Sequence, residues 1–185
     1  MYVYHLDRAH SLNEGQILDL VDLTCVYGDE KLVNLLGDKF NDFSFTLKNA
    51  GFSKVTRFIN GMASRPIIDK EFRDTINIEK NFEIIRKASF PTMLSRYTSM
   101  FGVLKLDDIQ KWGTFFGYNN SPIWLIECET RSPILDARFL RSFKKITPEV
   151  IDMAFKYWNG FKSDDPLPEV LFSLPAKVVC QAGIL

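Results

Sequence analysis

The stretch PEVLFSLPAKVV, residues 168–179, places the strongest local constraint on the fold. It reads as a strand, a tight turn and a second strand, a terminal hairpin whose Val170-Leu171-Phe172 run suits burial. A carboxylate, Glu169, stands directly before that run. Taken alone, such an acid is an ordinary strand-edge residue. On a rigid strand with apolar neighbours it can also be held and aimed into a cleft.

The rest of the chain supplies short strands separated by helices of mixed length. MYVYHL at the start alternates, with Tyr2, Tyr4 and Leu6 on one face and Val3 and His5 on the other. DEKLVNLLGDKF spaces Leu32, Leu35 and Leu36 as one helix face. IDKEFRDTINIEKNFEIIRKA sets Ile78, Phe82 and Ile85 at helical spacing, and Pro91 ends that pattern. SRYTSMFGVL is strand-like, LDDIQKWGTFF reads as a short helix presenting Leu106, Ile109 and Trp112, and IWLIECE is a nearly continuous apolar strand. TPEVIDMAFKYW opens with Thr147 as N-cap and Pro148 at the first helical position. Its stripe is Val150, Ile151, Ala154, Phe155 and Trp158. This order predicts an α+β fold rather than a doubly wound parallel sheet. The 185 residues suit a single domain, with a helical insertion at about 28–90.

Composition excludes several function classes. Lys plus Arg equals Asp plus Glu at 23 each, so no overall basic charge marks a general nucleic-acid binder. Cys25, Cys128 and Cys180 are widely spaced, and the two histidines, His5 and His10, make no ligand pattern with acids or thiols. No metal site is expected. Neither Gly-rich phosphate loop nor nucleophile elbow occurs. MYVYHLDRAH carries no signal-peptide pattern, and no apolar run approaches the ~18 residues of a membrane span. The expected setting is the cytoplasm, of the producing cell or of an invaded one, with no membrane partner.

Four segments, in order, resemble the ADP-ribosyltransferase superfamily, the fold of diphtheria-type toxins and poly(ADP-ribose) polymerases. YHLDR is similar to its first strand, which carries a histidine in the His-Tyr-Glu branch. SRYTSMFGVLKLDDIQKWG is similar to its middle strand and following helix. PIWLIECETRSPILDARFL is similar to the next strand and its connection. PEVLFSLPAKVV is similar to the terminal motif, in which the family's acid precedes a Val-Leu strand. The resemblance covers about the first ten residues and then residues 90–182, closest to a bacterial branch. Leu167, two before Glu169, stands where the arginine-modifying branch has its first acid.

The resemblance implies two small packed antiparallel sheets, flanked by helices, with an NAD-binding cleft between them. It implies an NAD-dependent ADP-ribosyltransferase that cleaves the nicotinamide–ribose bond and passes ADP-ribose to a protein or nucleic-acid acceptor. Breaking that bond builds positive charge on the ribose, which a carboxylate in a dry cleft stabilises. Glu169 takes that role, with Tyr97 as the stacking aromatic; Met100 and Phe101 compete for the same place. His5 is assigned to the adenine-side ribose, Ser95 and Ser99 to the carboxamide or ribose, Arg96 to the diphosphate, and Phe101 to the cofactor wall. Glu127 and Glu129 share one face of their strand and read as a solvated edge. An NAD glycohydrolase, an RNA-directed transferase and a non-catalytic binding or inhibitor module are the competing readings within the same fold.

Overall fold

A computed structural model describes residues 1–8, 10–19, 70–96, 98–117, 119–143 and 145–185. Their order is β1 (Tyr2–Leu6), β2 (Ile17–Leu18), α1 (Lys70–Ser89), β3 (Ser99–Gly102), α2 (Leu106–Phe116) and β4 (Pro122–Cys128), followed by β5 (Leu135–Asp136), a 3₁₀ turn (Ala137–Phe139), α3 (Pro148–Trp158), β6 (Pro168–Ser173) and β7 (Ala176–Ile184). The fold is α+β, with two antiparallel sheets ordered β1-β4-β7-β2 and β3-β6-β5. Leu32, Leu35, Leu36, Cys25, Tyr97 and most of the expected insertion lie outside the described residues.

The apolar run of β6 is explained by burial on both faces. Val170 and Phe172 point between the sheets, into a core with Val3, Ile126 and Val178. Leu171 points the other way, into a second core with Phe82, Val150 and Ala154, under α1 and α3. Phe172 and Leu171 are fully buried, each contributing about 1.5–3 kcal/mol by area. Strand alternation puts Glu169 on the face of Leu171, toward the helices.

The expected terminal hairpin is not formed. β6 lies between β3 and β5, and β7 lies between β4 and β2. Both edges of β6 are already occupied, so β7 finds its ladder in the other sheet. The chain therefore crosses from one sheet to the other at Leu174-Pro175. The middle strand is also shorter than the expected residues 95–101. Ser95 and Arg96 precede it in a turn, closed by the Thr98 amide donating to the Ser95 carbonyl at 3.2 Å.

The helices follow their sequence signals, with two corrections. Thr147 caps α3 by accepting from the Val150 amide, and Pro148 opens it; such a cap is worth ~1 kcal/mol. Val150, Ala154 and Trp158 are buried as the stripe implies, but Ile151 and Phe155 are 42% and 40% exposed. Tyr157, outside the expected stripe, is fully buried instead. In α2, Ile109 is buried, whereas Leu106 is 41% exposed. α2 ends where Gly117 adopts the left-handed conformation at φ 68°. In α1, Phe82 and Ile85 are buried and Ile78 packs beside them. None of the described helices is long and apolar enough to cross a membrane.

The two sheets are stitched where β1 meets the end of β3. Tyr4 and Val103 exchange reciprocal backbone hydrogen bonds of 2.8 Å. The approach is so close that a Cβ on Gly102 would lie 2.8 Å from the Tyr4 carbonyl oxygen. Gly102→Ala must therefore push backbone against backbone, costing about 1–3 kcal/mol. A Cβ on Gly183 meets only an ordinary contact at 3.8 Å, so Gly183→Ala should leave stability within ~0.5 kcal/mol. Urea unfolding of both variants checks the contrast.

Candidate functional site

A cavity of about 360 Å³ opens between β1, β3, α2 and the start of β6, a size that suits a small-molecule ligand. His5, Phe101, Trp112, Phe116, Arg96 and Glu169 are among the residues lining it. Phe116 and its neighbour Phe115 are 39% and 51% exposed, which marks the mouth. Arg96 and Glu169 are 7% and 2% exposed, which marks the closed end.

The closed end is built around one guanidinium. Arg96 donates through Nε and Nη2 to Glu79 Oε2 and Oε1 at 2.8 and 2.9 Å, a bidentate fork. Its Nη1 donates to Glu169 Oε1 at 2.6 Å and to the Tyr157 hydroxyl. That hydroxyl in turn donates to Glu169 Oε1. Among the described residues both donors to Glu169 meet the same oxygen, which leaves Oε2 as the one for a ligand. The Arg96 guanidinium also lies 4.5 Å over the Phe101 ring, a cation–π contact. Burial works against the Arg96 charge, but Glu79, Tyr157 and Glu169 outweigh it and raise its pKa well above the ordinary arginine value. Burial pushes the Tyr157 phenol well up as well; Arg96 opposes the rise and Glu169 adds to it, so the phenol stays protonated and able to donate.

Surrounding contacts fix this geometry. Trp112 Nε1 donates to the Pro168 carbonyl at 2.7 Å, tying α2 to the residue before Glu169. Asp136 is buried beside it, pairing with Pro168 across β5 and β6. Its carboxylate accepts from the amides of Arg138, Ser163 and Leu167 and from the Ser163 hydroxyl, at 2.7–3.0 Å. Burial disfavours its charge, but the hydrogen bonds from Ser163, Arg138 and Leu167 prevail and hold its pKa below the ordinary range. Asp136 thus clamps the loop that delivers the chain into β6.

The residues proposed from sequence separate into three groups. His5, Phe101, Arg96 and Glu169 come together at the cleft. His5 Nδ1 donates to the Phe101 carbonyl at 2.7 Å, linking the two. Arg96 faces carboxylates rather than standing open for a diphosphate. Ser95 and Ser99 do not line the cleft. Ser95 donates to Glu83 at 2.9 Å, on α1, and Ser99 is buried in β3 opposite Ser173. Tyr97 lies outside the described residues. Glu127 and Glu129 are exposed on either side of buried Cys128, as their alternation implies. Glu79, Tyr157, Asp136 and Trp112 were not singled out as site residues. Tyr157 was legible as the third position of the Val150–Ala154 face; Glu79 carried no such signal.

The chain belongs to the DUF2441 family, proteins of unknown function, whose family model matches residues 3–183. That span includes every residue named at the cleft. No curated protein matches the chain.

Removing Arg96 strands the buried Glu169 carboxylate and leaves the partly exposed Glu79 without its fork. Arg96→Ala should cost about 3–5 kcal/mol, whereas Arg96→Lys keeps the charge, loses the fork and should cost less. Chemical denaturation at neutral pH orders the two.

Asp136 gives a pH signature. Its depressed pKa contributes stability above the unfolded value of ~3.9 that is lost as pH falls through the folded value. Asp136→Asn should cost on the order of 1–3 kcal/mol at pH 7, with the deficit shrinking below about pH 4. Denaturation midpoints at pH 7 and pH 3 measure both; an equal deficit at the two would contradict the clamp.

Proposed function

We propose that this protein is an NAD-dependent ADP-ribosyltransferase, with NAD bound in the cleft and a macromolecular acceptor at its mouth. The observation that carries the reading is that His5 of β1 and Glu169 of β6, distant in sequence, line one aromatic cavity. A buried acid beside an aromatic-walled space also suits a reaction that separates a flat ring from a ribose. In that reaction the glycosidic bond breaks with its electron pair leaving on nicotinamide. The ribose gains oxocarbenium character, and the Glu169 carboxylate stabilises it through Oε2 and the ribose hydroxyl. The acceptor nucleophile then bonds to the ribose carbon and loses its proton. Water in the acceptor's place gives the glycohydrolase reaction.

Arg96 and Tyr157 are positioning residues in this account. They hold Glu169 through Oε1 and keep its side chain in one orientation. Arg8, on the cleft wall near the mouth, is better placed than Arg96 for a diphosphate. A second reading, a non-catalytic binding module, is favoured by one observation. Arg96 at 2.6 Å already compensates much of the charge that Glu169 would present to the ribose.

Labelled NAD, incubated with the protein with and without cell lysate, tests the proposal. Released nicotinamide with label on protein or nucleic acid is the expected result. Glu169→Gln should lower turnover by ~10²-fold or more with little change in NAD affinity, while Glu127→Gln and Glu129→Gln stay near wild type. NAD at a hundredfold excess over Kd should stabilise the chain by about 2.7 kcal/mol, and His5→Ala should weaken that shift without unfolding the protein. A stability shift with no nicotinamide release would select the binding module.

A further inference from the structure

We infer that the rim of the cleft is a docking surface for a polypeptide that presents an apolar side chain beside a carboxylate, seated on Phe115 and Arg138. As the place of an acceptor this rests on the proposed function; as a docking surface it is read by binding alone.

Phe115 and Phe116 close the last turn of α2, and neither is drawn inward: they are 51% and 39% exposed. A lone exposed phenylalanine is ordinary, but adjacent ones beside a cavity form apolar surface of the kind that marks an interaction site. The Phe115 ring is held in place. It meets Phe116 edge to face at 5.1 Å and Trp112 at 6.2 Å, and Trp112 is itself tied to Pro168. An aromatic side chain ordered in advance loses little freedom on binding, which suits it as an anchor.

Arg138 supplies the polar half. Its guanidinium lies 5.0 Å over the Phe115 ring, and a guanidinium stacked in this way keeps its in-plane N–H groups for an anion. The chain itself shows what they take. Nη2 donates to the Asp165 carboxylate, whose side chain is 80% exposed, and Nε donates to the Asp165 carbonyl at 3.0 Å. An exposed ion pair is worth little. A partner's carboxylate can therefore replace that of Asp165 when an apolar contact with Phe115 accompanies it. Arginine and aromatic side chains together are the composition of interface hot spots.

The same surroundings disfavour a nucleic acid. Phe116 already carries Arg8, 4.5 Å over its ring, and Trp112, stacked at 5.4 Å, so much of its stacking surface is in use. Asp164 and Asp165 are both exposed in the loop that meets Arg138. They would meet a row of phosphates with like charge, whereas a single carboxylate exchanges for one already there. The equal counts of acids and bases in the whole chain point the same way.

Selection from a phage library of random short peptides, against the full chain, tests the surface. Peptides enriched on the wild type should pair an aromatic or large aliphatic residue with a nearby Asp or Glu. Synthetic versions lacking the acid should bind about tenfold more weakly. By fluorescence anisotropy, Phe115→Ser and Arg138→Gln should each lower affinity about tenfold or more, with circular dichroism reporting the fold. Asp165→Asn removes the internal competitor and should raise affinity about threefold, a gain that a purely structural ion pair would not give. Four results would each overturn the inference: no enrichment on the wild type over Phe115→Ser, enriched peptides without acids, no gain in Asp165→Asn, or a single-stranded oligouridine that binds more tightly than the selected peptides and is lost in Phe115→Ser. Peptide docking without nicotinamide release from NAD would uphold the surface while removing the transferase reading. NAD turnover without peptide docking would do the reverse.

Discussion

The structure depends on how one buried arginine is shared. Arg96 stands in the turn before β3, yet it reaches Glu79 on α1, Tyr157 on α3 and Glu169 on β6. Apolar packing joins these elements as well, strong but non-directional, and Ser95–Glu83 and Trp158–Phe82 add single hydrogen bonds. The guanidinium adds direction: its fork fixes α1 through two parallel bonds, and its remaining nitrogen fixes the strand that carries the acid. Burying such charges is costly unless every partner is in place. Within this arrangement Glu169 is held through Oε1 by both Arg96 and Tyr157 on the wall of the cleft.

The frame around that network serves the same end. β6 is buried on both faces, so the strand that presents Glu169 is packed from both sides. Asp136 clamps the loop that enters it, and Trp112 ties its first residue to α2. The Tyr4–Val103 bridge brings β1, and so His5, against the end of β3. The cleft is the space left where the two sheets and α2 meet. A buried acid, an aromatic wall and a mouth with exposed Phe115 and Phe116 come together there.

Much of the frame was legible in the sequence because its signals are local. Thr147-Pro148 announces α3, Leu106–Phe116 carries a helix pattern ended by Gly117, and residues 123–129 read as an apolar strand, which the structure forms at Pro122–Cys128. The acid before Val170 stood out for the same reason. What escaped was set by pairings across the chain. PEVLFSLPAKVV has the look of a hairpin, but competition for strand edges divides it between two sheets. Ser95 and Arg96 sit in a run of strand-like residues, but their side chains are claimed by Glu83 and Glu79 on α1, and the chain turns there. Tyr157 falls outside the stripe of Val150, Ile151, Ala154, Phe155 and Trp158, yet it is fully buried, whereas Phe155 is 40% exposed. No spacing rule connects Arg96 to Glu79, Tyr157 and Glu169; only the fold brings them together.

The central claim is that the cleft holds NAD with its nicotinamide-side ribose against Glu169. A crystal structure of the wild-type chain with a non-cleavable NAD analogue tests it most directly. The account predicts the flat ring at the closed end, between the aromatic walls, and a ribose hydroxyl hydrogen-bonded to Glu169 Oε2, with the Arg96–Glu169 contact kept. An analogue bound elsewhere, or in the cleft with its ribose out of reach of Glu169, would contradict it.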